Sequence, residues 1–216
     1  MGKSASGSIS SDDILPTWWD LNISDPANYI RSYGECLGRP SLVWFVETVE
    51  SGESILDVGC GPGCVYENLI AQAKHDQVKY RGLDYSISFI DACLNLFPGV
   101  DFCLGDARAL VEEDSSWDTV LLCHVLEHCP GYRQPVHEAM RVARGRVVII
   151  MWRPLYAGPD KVEDKGGDTY CCDYNEAEFL SFLDSLEFPI ERFEFPGQRK
   201  NWAWVINKGG EWTRGE

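Results

Sequence analysis

Long apolar runs are missing from this sequence of 216 residues. The longest ones, such as Val147 to Trp152, fall far short of the ~20 residues that a helix needs to cross a bilayer. The polar first residues also lack the apolar segment of a signal peptide. We therefore expect a cytoplasmic protein with no membrane partner.

Positive charge is also scarce, because 19 Lys and Arg residues stand against 34 Asp and Glu residues, which gives a net charge of -15. A surface this acidic repels a phosphate backbone unless its few cations gather in one patch. Arg141, Arg144 and Arg146, or Arg199 and Lys200, are the candidates for such a patch. Nucleic acid is therefore a disfavoured partner, and an RNA ligand stays open only as an alternative.

The cysteines show no C-x-x-C pair, and their odd number of nine does not suit the disulfide framework of a small secreted domain. We expect reduced thiols with structural roles. A hydrophobic content of 44% and an aromatic content of 12% predict a folded chain with one sizeable core.

Four segments are predicted along the chain. A flexible tail covers 1–13, a helical cap segment covers 14–50, the main domain covers 51–208, and a second tail covers 209–216. Within the main domain, short β-branched runs alternate with amphipathic stretches, as in a parallel sheet wrapped by helices. We place strands near 53–58, 78–83, 100–104, 117–122, 146–152, 190–195 and 202–207. We place helices near 63–74, 86–97, 132–144 and 175–187, and a long loop or lid at 153–174.

A glycine-rich turn follows the first predicted strand and carries Gly59, Gly61 and Gly63. Glycine lets a ligand approach the backbone closely and permits φ values closed to other residues. Asp84 follows the second strand, where a carboxylate can accept both hydroxyls of a ribose. A dinucleotide fingerprint would need a third glycine at position 64, which is Cys64. The pattern therefore favours a single nucleoside, and Asp106 after the third strand suits an exocyclic adenine amine.

Four motifs in this order resemble the class I S-adenosylmethionine-dependent methyltransferases of the small-molecule type. The first three are Leu56 to Gly63, Gly82 to Ser86 and Gly105 to Ala107. The fourth consists of two nearby segments, Trp117 to Val120 and His124 to His128. The resemblance implies an α/β fold, a Rossmann-like three-layer sandwich. Its seven-stranded, mostly parallel sheet has the order 3-2-1-4-5-7-6 and an antiparallel last strand.

The resemblance also implies a cofactor site for S-adenosylmethionine, with S-adenosylhomocysteine as the product. The turn from Gly59 to Gly63 would hold the methionine part, and Tyr33, or alternatively Tyr29 or Arg31, is a candidate by position to close over its carboxylate. The remaining cofactor residues implied are Asp57, Cys60, Asp84, Tyr85, Ser86, Asp106, Ala107, Cys123 and His124. His124 is the candidate catalytic base, because an imidazole titrates in the range that the task requires.

His124, Glu127 and His128 raise a separate possibility, since on a helix their spacing would put all three on one face as a metal-binding set. We predict no metal and favour packing and capping for these residues. The segment 153–174 lies where ligands enter such sheets and is expected to help form the acceptor pocket.

We therefore predict an enzyme that transfers a methyl group to O, N or C of a small-molecule acceptor. The alternatives are a methyltransferase acting on RNA or protein, a non-catalytic binding module and, less favoured, an NAD-dependent oxidoreductase. The sequence leaves the acceptor and the oligomeric state open.

Overall fold

A computed structural model of the protein describes residues 16–32, 37–195 and 201–209. Its helices are α1 (Trp18–Asn22), α2 (Pro26–Ser32), α3 (Pro40–Glu47), α4 (Cys64–Ala71), α5 (Ile87–Leu96), α6 (Arg133–Val142) and α7 (Glu176–Asp184), with a 3-10 helix at Leu126–His128. Its strands are β1 (Ser54–Val58), β2 (Lys79–Asp84), β3 (Asp101–Leu104), β4 (Trp117–Cys123), β5 (Ala143–Met151), β6 (Lys161–Gly166), β7 (Thr169–Asp173), β8 (Ile190–Phe195) and β9 (Asn201–Asn207).

The main sheet has seven strands in the order β3-β2-β1-β4-β5-β9-β8. β1 to β5 pair in parallel, whereas β9 runs antiparallel to both β5 and β8. β6 and β7 lie outside this sheet, so β8 and β9 are its sixth and seventh strands along the chain. Counted in this way, the order is the predicted 3-2-1-4-5-7-6 with the last strand antiparallel. The fold-class prediction is confirmed.

The segment 153–174 is more ordered than the predicted loop. β6 and β7 form a two-stranded antiparallel hairpin, and all six residues of β6 are exposed. The strand was missed because it has no buried face, so its sequence shows no alternation of apolar and polar residues. Gly166 at the end of β6 and Gly167 in the turn both have positive φ, and this glycine pair was the usable signal.

The core consists of two apolar layers, one on each face of the sheet. β1 is buried along its whole length, and its alternate residues serve opposite layers. Leu56 and Val58 pack in one layer with residues of α6 and α7, and Ile55 packs in the other with residues of α3 and α4. Burial on both faces explains why the central strands read as continuous apolar runs.

The N-terminal helices pack on the domain at two places. In α3, the buried residues Leu42, Phe45 and Val46 join the layer that contains Ile55. α1 and α2 both contact α5, which begins directly after the end of β2. The N-terminal segment therefore covers the edge of the sheet at which β1 and β2 end.

Seven cysteines of the described ranges are free, and Cys64 is disulfide-bonded. The expectation of reduced thiols throughout is therefore wrong at Cys64, because sequence spacing does not reveal which thiols the fold brings together.

None of the helices in the described ranges has the length and apolar character needed to span a membrane.

Candidate functional site

The turn after β1 approaches its neighbours so closely that glycine is required. Gly59, Gly61 and Gly63 have φ values of 74°, 52° and 84°. A Cβ on Gly59 would lie 2.4 Å from Cγ2 of Val125, and one on Gly63 would lie 2.7 Å from the Phe97 ring. The Gly59 N–H also donates to the Leu83 carbonyl at 2.7 Å. The turn therefore presents bare backbone beside the end of β2.

Asp84 lies at the end of β2 with its carboxylate directed at this turn. Oδ2 accepts the Gly61 N–H at 2.8 Å, and Oδ1 accepts the Ser86 N–H at 2.8 Å. Burial raises the pKa of Asp84 to about 6, the two backbone donors oppose the shift, and the nearby Asp20 carboxylate adds to it. Each oxygen keeps a lone pair beyond the one that its backbone donor occupies, so the carboxylate can still accept a pair of hydroxyls.

Asp57 lies in β1 just before the glycine turn and is completely buried. Its Oδ2 accepts the Tyr80 hydroxyl at 2.6 Å, while Oδ1 has no hydrogen-bond partner among the described residues. Burial raises the pKa of Asp57 to about 7. The described residues therefore satisfy only one oxygen of this buried carboxyl group behind the turn.

Asp106 is held by Arg108, a residue that no sequence motif singled out. The Arg108 Nε and Nη2 atoms donate to the Asp106 carboxylate at 2.9 and 2.8 Å, and the Arg108 N–H donates at 2.8 Å. The Arg108 guanidinium also lies 5.8 Å from the centre of the Tyr85 ring. The predicted adenine-binding residues Tyr85, Asp106 and the neighbouring Ala107 are thus brought to one place around Arg108.

His124 follows Cys123 at the end of β4 and has a positive φ of 58°. Its Nε2 lies 2.8 Å from the Asn201 Oδ1, and its Nδ1 lies 2.8 Å from the Arg39 Nη1. A proton on Nε2 satisfies both contacts, and in that tautomer both ring nitrogens are occupied. Burial and the Arg39 charge lower the pKa of His124 to about 3. The ring is therefore neutral near pH 7. Its protonated form is strongly disfavoured, which makes it a weak base.

The condition for a shared metal face is not met. A 3-10 helix of only three residues begins at Leu126, so His124 lies outside it. Glu127 Oε1 accepts the Trp152 N–H at 2.7 Å, and His128 Nδ1 lies 3.1 Å from the Tyr170 carbonyl oxygen. Across the described ranges, no group of three His, Cys, Asp or Glu residues has a geometry that could hold a metal ion.

Tyr33 lies outside the described residues. Tyr29, which is described, has its ring against Trp19 and Phe89. Cys60 is buried within the turn, and burial raises the pKa of its thiol well above the usual range. Ser86 is buried and caps the start of α5 through its side chain, which accepts the Phe89 N–H.

Sequence reasoning missed three residues at this edge: Asp20, Arg39 and Arg108. The Asp20 carboxylate in α1 accepts the Ser86 hydroxyl at 2.6 Å and the Ser88 N–H at 2.9 Å. Thr17 and Asp20 form a capping box, a pattern that the sequence does show. Nothing local in the sequence reveals that this box meets α5 or that Arg39 meets His124.

The strand order and the antiparallel last strand are those of the Rossmann-like fold of the class I S-adenosylmethionine-dependent methyltransferases. A family model described as "Methyltransferase domain" matches residues 55–145. The match covers less than half of the chain and shows that this part is similar to the methyltransferase-domain family.

Named relatives agree with this assignment. The chain is 28% identical over 155 residues to a demethylmenaquinone methyltransferase of Paenarthrobacter aurescens, an alignment that covers 67% of this chain and 57% of that protein. It is 36% identical over 129 residues to a phthiotriol/phenolphthiotriol dimycocerosates methyltransferase of Mycobacterium ulcerans, covering 57% of this chain and 44% of that protein. The chain thus spans about half the length of these curated relatives.

A solved structure has the same fold at low sequence identity. Magnesium protoporphyrin IX methyltransferase from Synechocystis PCC 6803, solved with bound S-adenosylhomocysteine, superposes with a TM-score of 0.57 at 18% identity. The superposition covers 78% of this chain and 80% of that chain.

Proposed function

We propose that this protein is an S-adenosylmethionine-dependent methyltransferase that acts on O, N or C of a small-molecule acceptor. The observation that carries the proposal is the Asp84 carboxylate, held by the Gly61 and Ser86 N–H groups at the mouth of a glycine turn. A half-buried carboxylate with lone pairs left beside bare backbone suits a ribose whose 5′ substituent lies along that backbone.

The surrounding residues fit the rest of the cofactor. The turn from Gly59 to Gly63 would hold the methionine part, because its three glycines leave bare backbone beside the Asp84 carboxylate. Tyr85, Asp106 and the Ala107 amide would bind the adenine. Cys123 and His124, at the end of β4, would line the transfer site.

The bound cofactor supplies an activated methyl group, so the chain has to orient the reactants and exclude water. The proton-accepting role of His124 stays a prediction. Its neutral ring can in principle take a proton, but the contacts with Arg39 and Asn201 favour a role in shaping the site. His124→Asn should weaken S-adenosylhomocysteine binding if this ring lines the cofactor site, and calorimetry would measure the change.

A small-molecule acceptor is supported by two observations. The two relatives described above are named for the methylation of small molecules. The net charge of -15 is the second observation, because a surface this acidic disfavours RNA as the acceptor.

Isothermal titration with S-adenosylmethionine, S-adenosylhomocysteine and NAD tests the proposal. Asp84→Asn should reduce affinity for the first two at least about tenfold, because it removes a charged acceptor of hydrogen bonds. Asp101→Asn is the matched control, since it makes the same charge change at the exposed start of β3. Binding of NAD alone, or equal affinity in both variants, would contradict the proposed site.

Binding without turnover is a separate outcome. Transfer of a labelled methyl group to a panel of quinol, phenol and amine acceptors would distinguish an enzyme from a non-catalytic binding module.

A further inference from the structure

Arg108 connects two parts of the molecule that lie far apart in sequence. Besides holding Asp106, its Nη1 donates to Oδ1 of Asp168 at 3.3 Å, and its Nη2 donates to Oδ2 of the same carboxylate. Asp168 lies in the turn of the β6–β7 hairpin, 60 residues away along the chain. One guanidinium therefore joins the loop after β3 to the tip of the hairpin.

The two ends of the hairpin are held differently. Along β7, the Cys172 thiol donates to the Cys129 carbonyl at 2.9 Å, and the Tyr174 hydroxyl just beyond β7 donates to the same carbonyl at 2.6 Å. These contacts fasten one strand to the segment after β4. β6 is exposed throughout, so the tip depends on the contacts of its own turn.

The tip also touches α1. A Cβ on Gly167 would lie 2.7 Å from the Pro16 carbonyl oxygen, and the Trp18 N–H donates to the Thr169 hydroxyl at 3.3 Å. α1 in turn reaches α5, because Asp20 accepts from Ser86 and Ser88. The hairpin tip and α1 together bridge from Asp106 across to Ser86, the residue that donates to Asp84.

We propose that Arg108 is a positioning residue that orients Asp106 and fastens the hairpin tip over the cofactor site through Asp168. This inference rests on the proposed function, because it assigns the retention of the bound nucleoside to that pair. Opening of the hairpin breaks the Arg108–Asp168 contact and separates the tip from α1, which gives the bound ligand a path out of the site. Release of S-adenosylhomocysteine therefore follows the opening of the tip.

Asp168→Asn is the sharpest probe of this pair. Asparagine, like aspartate, tolerates a positive φ better than most residues that carry a side chain, so at the φ of 52° found here the variant should keep the turn while losing the charge. Glu163→Gln is the matched control. It makes the same charge change in the same hairpin, at an exposed carboxylate that pairs with Lys165 and not with Arg108.

Two readouts are measured on the full chain. The first is the dissociation rate of S-adenosylhomocysteine, followed by tryptophan fluorescence in a stopped-flow instrument. The second is amide hydrogen exchange over 161–173, with and without that ligand. Asp168→Asn should raise the dissociation rate about fivefold to twentyfold, the scale of one partly buried charge-assisted contact. It should also remove the protection that the ligand gives to 161–173, whereas Glu163→Gln should match the unchanged chain.

A double-mutant cycle with Arg108→Gln tests whether the two residues act together. In that background, Asp168→Asn should change the dissociation rate by less than twofold, because the contact is already absent. Equal rates and equal exchange in Asp168→Asn and Glu163→Gln, or full additivity in the cycle, would overturn the proposed role. An unchanged chain that binds no S-adenosylhomocysteine would contradict the proposed function itself.

Discussion

At the amino ends of β1 and β5, Arg146 and Glu53 form an ion pair at 3.1 Å between side chains that are 7% and 11% exposed. Arg146 also donates to the Thr119 hydroxyl and to the Thr48 hydroxyl and carbonyl. Its charge and its donors are therefore matched within the protein.

At the carboxyl ends of the same sheet, buried acids are only partly matched. Asp57 Oδ1 and Glu127 Oε2 have no hydrogen-bond partner among the described residues. Burial raises the pKa of both acids to about 7 and that of Asp84 to about 6. A buried acid left without full pairing costs stability, and such costs persist where a ligand or a reaction uses the group. Under the proposed function, this difference corresponds to stability at the amino ends and cofactor binding at the carboxyl ends.

The largest expected effect is at the amino ends. Arg146→Met would leave Glu53 buried without its partner and should lower the free energy of unfolding by about 3–5 kcal/mol. Urea denaturation measures this change. Arg144→Met is the control, because Arg144 pairs with Asp118 at an exposed position, 58% accessible, where loss of the pair should cost about 0–1 kcal/mol. Equal losses in the two variants would remove the distinction between the two edges.

A change in the glycine turn should affect binding next in size. Gly59→Ala places a Cβ against Val125 at a positive φ, so the turn must shift at a cost of about 1–3 kcal/mol, the usual cost of overpacking, and the shift should weaken S-adenosylhomocysteine binding. Gly52→Ala has a comparable φ of 87° with nothing within 4 Å, so it carries the backbone strain without the collision. Calorimetry on both variants separates the two effects, and a Gly59→Ala protein that binds normally would refute the role of the turn.

The smallest effect is a pH dependence of stability. The pKa of Asp57 is raised in the folded state to about 7 from an ordinary value of 3.8, so the folded protein holds more protons than the unfolded chain between these values. Stability from this group is therefore present at low pH and is lost as the pH rises towards 7. Asp57→Asn should flatten the fall in unfolding free energy between pH 5 and pH 8.

Tyr80→Phe should change the pH dependence of the unfolding free energy in the opposite direction. It removes the hydroxyl that donates to Asp57 and favours the charged form, so the pKa of Asp57 should rise further and the fall should steepen. Urea denaturation across the pH range checks both variants. Parallel curves for the two variants would rule out Asp57 as the titrating group.

The predictable part of the fold came from residues with strong local patterns. β1 is apolar and followed by glycines, and Asp84 and Asp106 end neighbouring strands, so parallel topology alone places them at one edge. Gly59 and Asp84 could be predicted as site residues without any knowledge of distant contacts.

The remainder depends on pairs with no local signal. Arg108 meets Asp168 across 60 residues, Asp20 meets Ser86 across 66, and Arg39 meets His124 across 85. Charged residues in loops look the same in sequence whether they are solvated or paired. His124 shows the consequence: its sequence position suits a base, whereas its packing lowers its pKa.

The central claim is that the carboxyl ends of β1 and β2 hold a nucleoside cofactor. A crystal structure of the full chain grown with S-adenosylhomocysteine tests it most directly. We expect both ribose hydroxyls within hydrogen-bond distance of the Asp84 carboxylate and the homocysteine part along Gly59 to Gly63. A ligand bound elsewhere, with Asp84 contacting only the Gly61 and Ser86 N–H groups, would contradict the account.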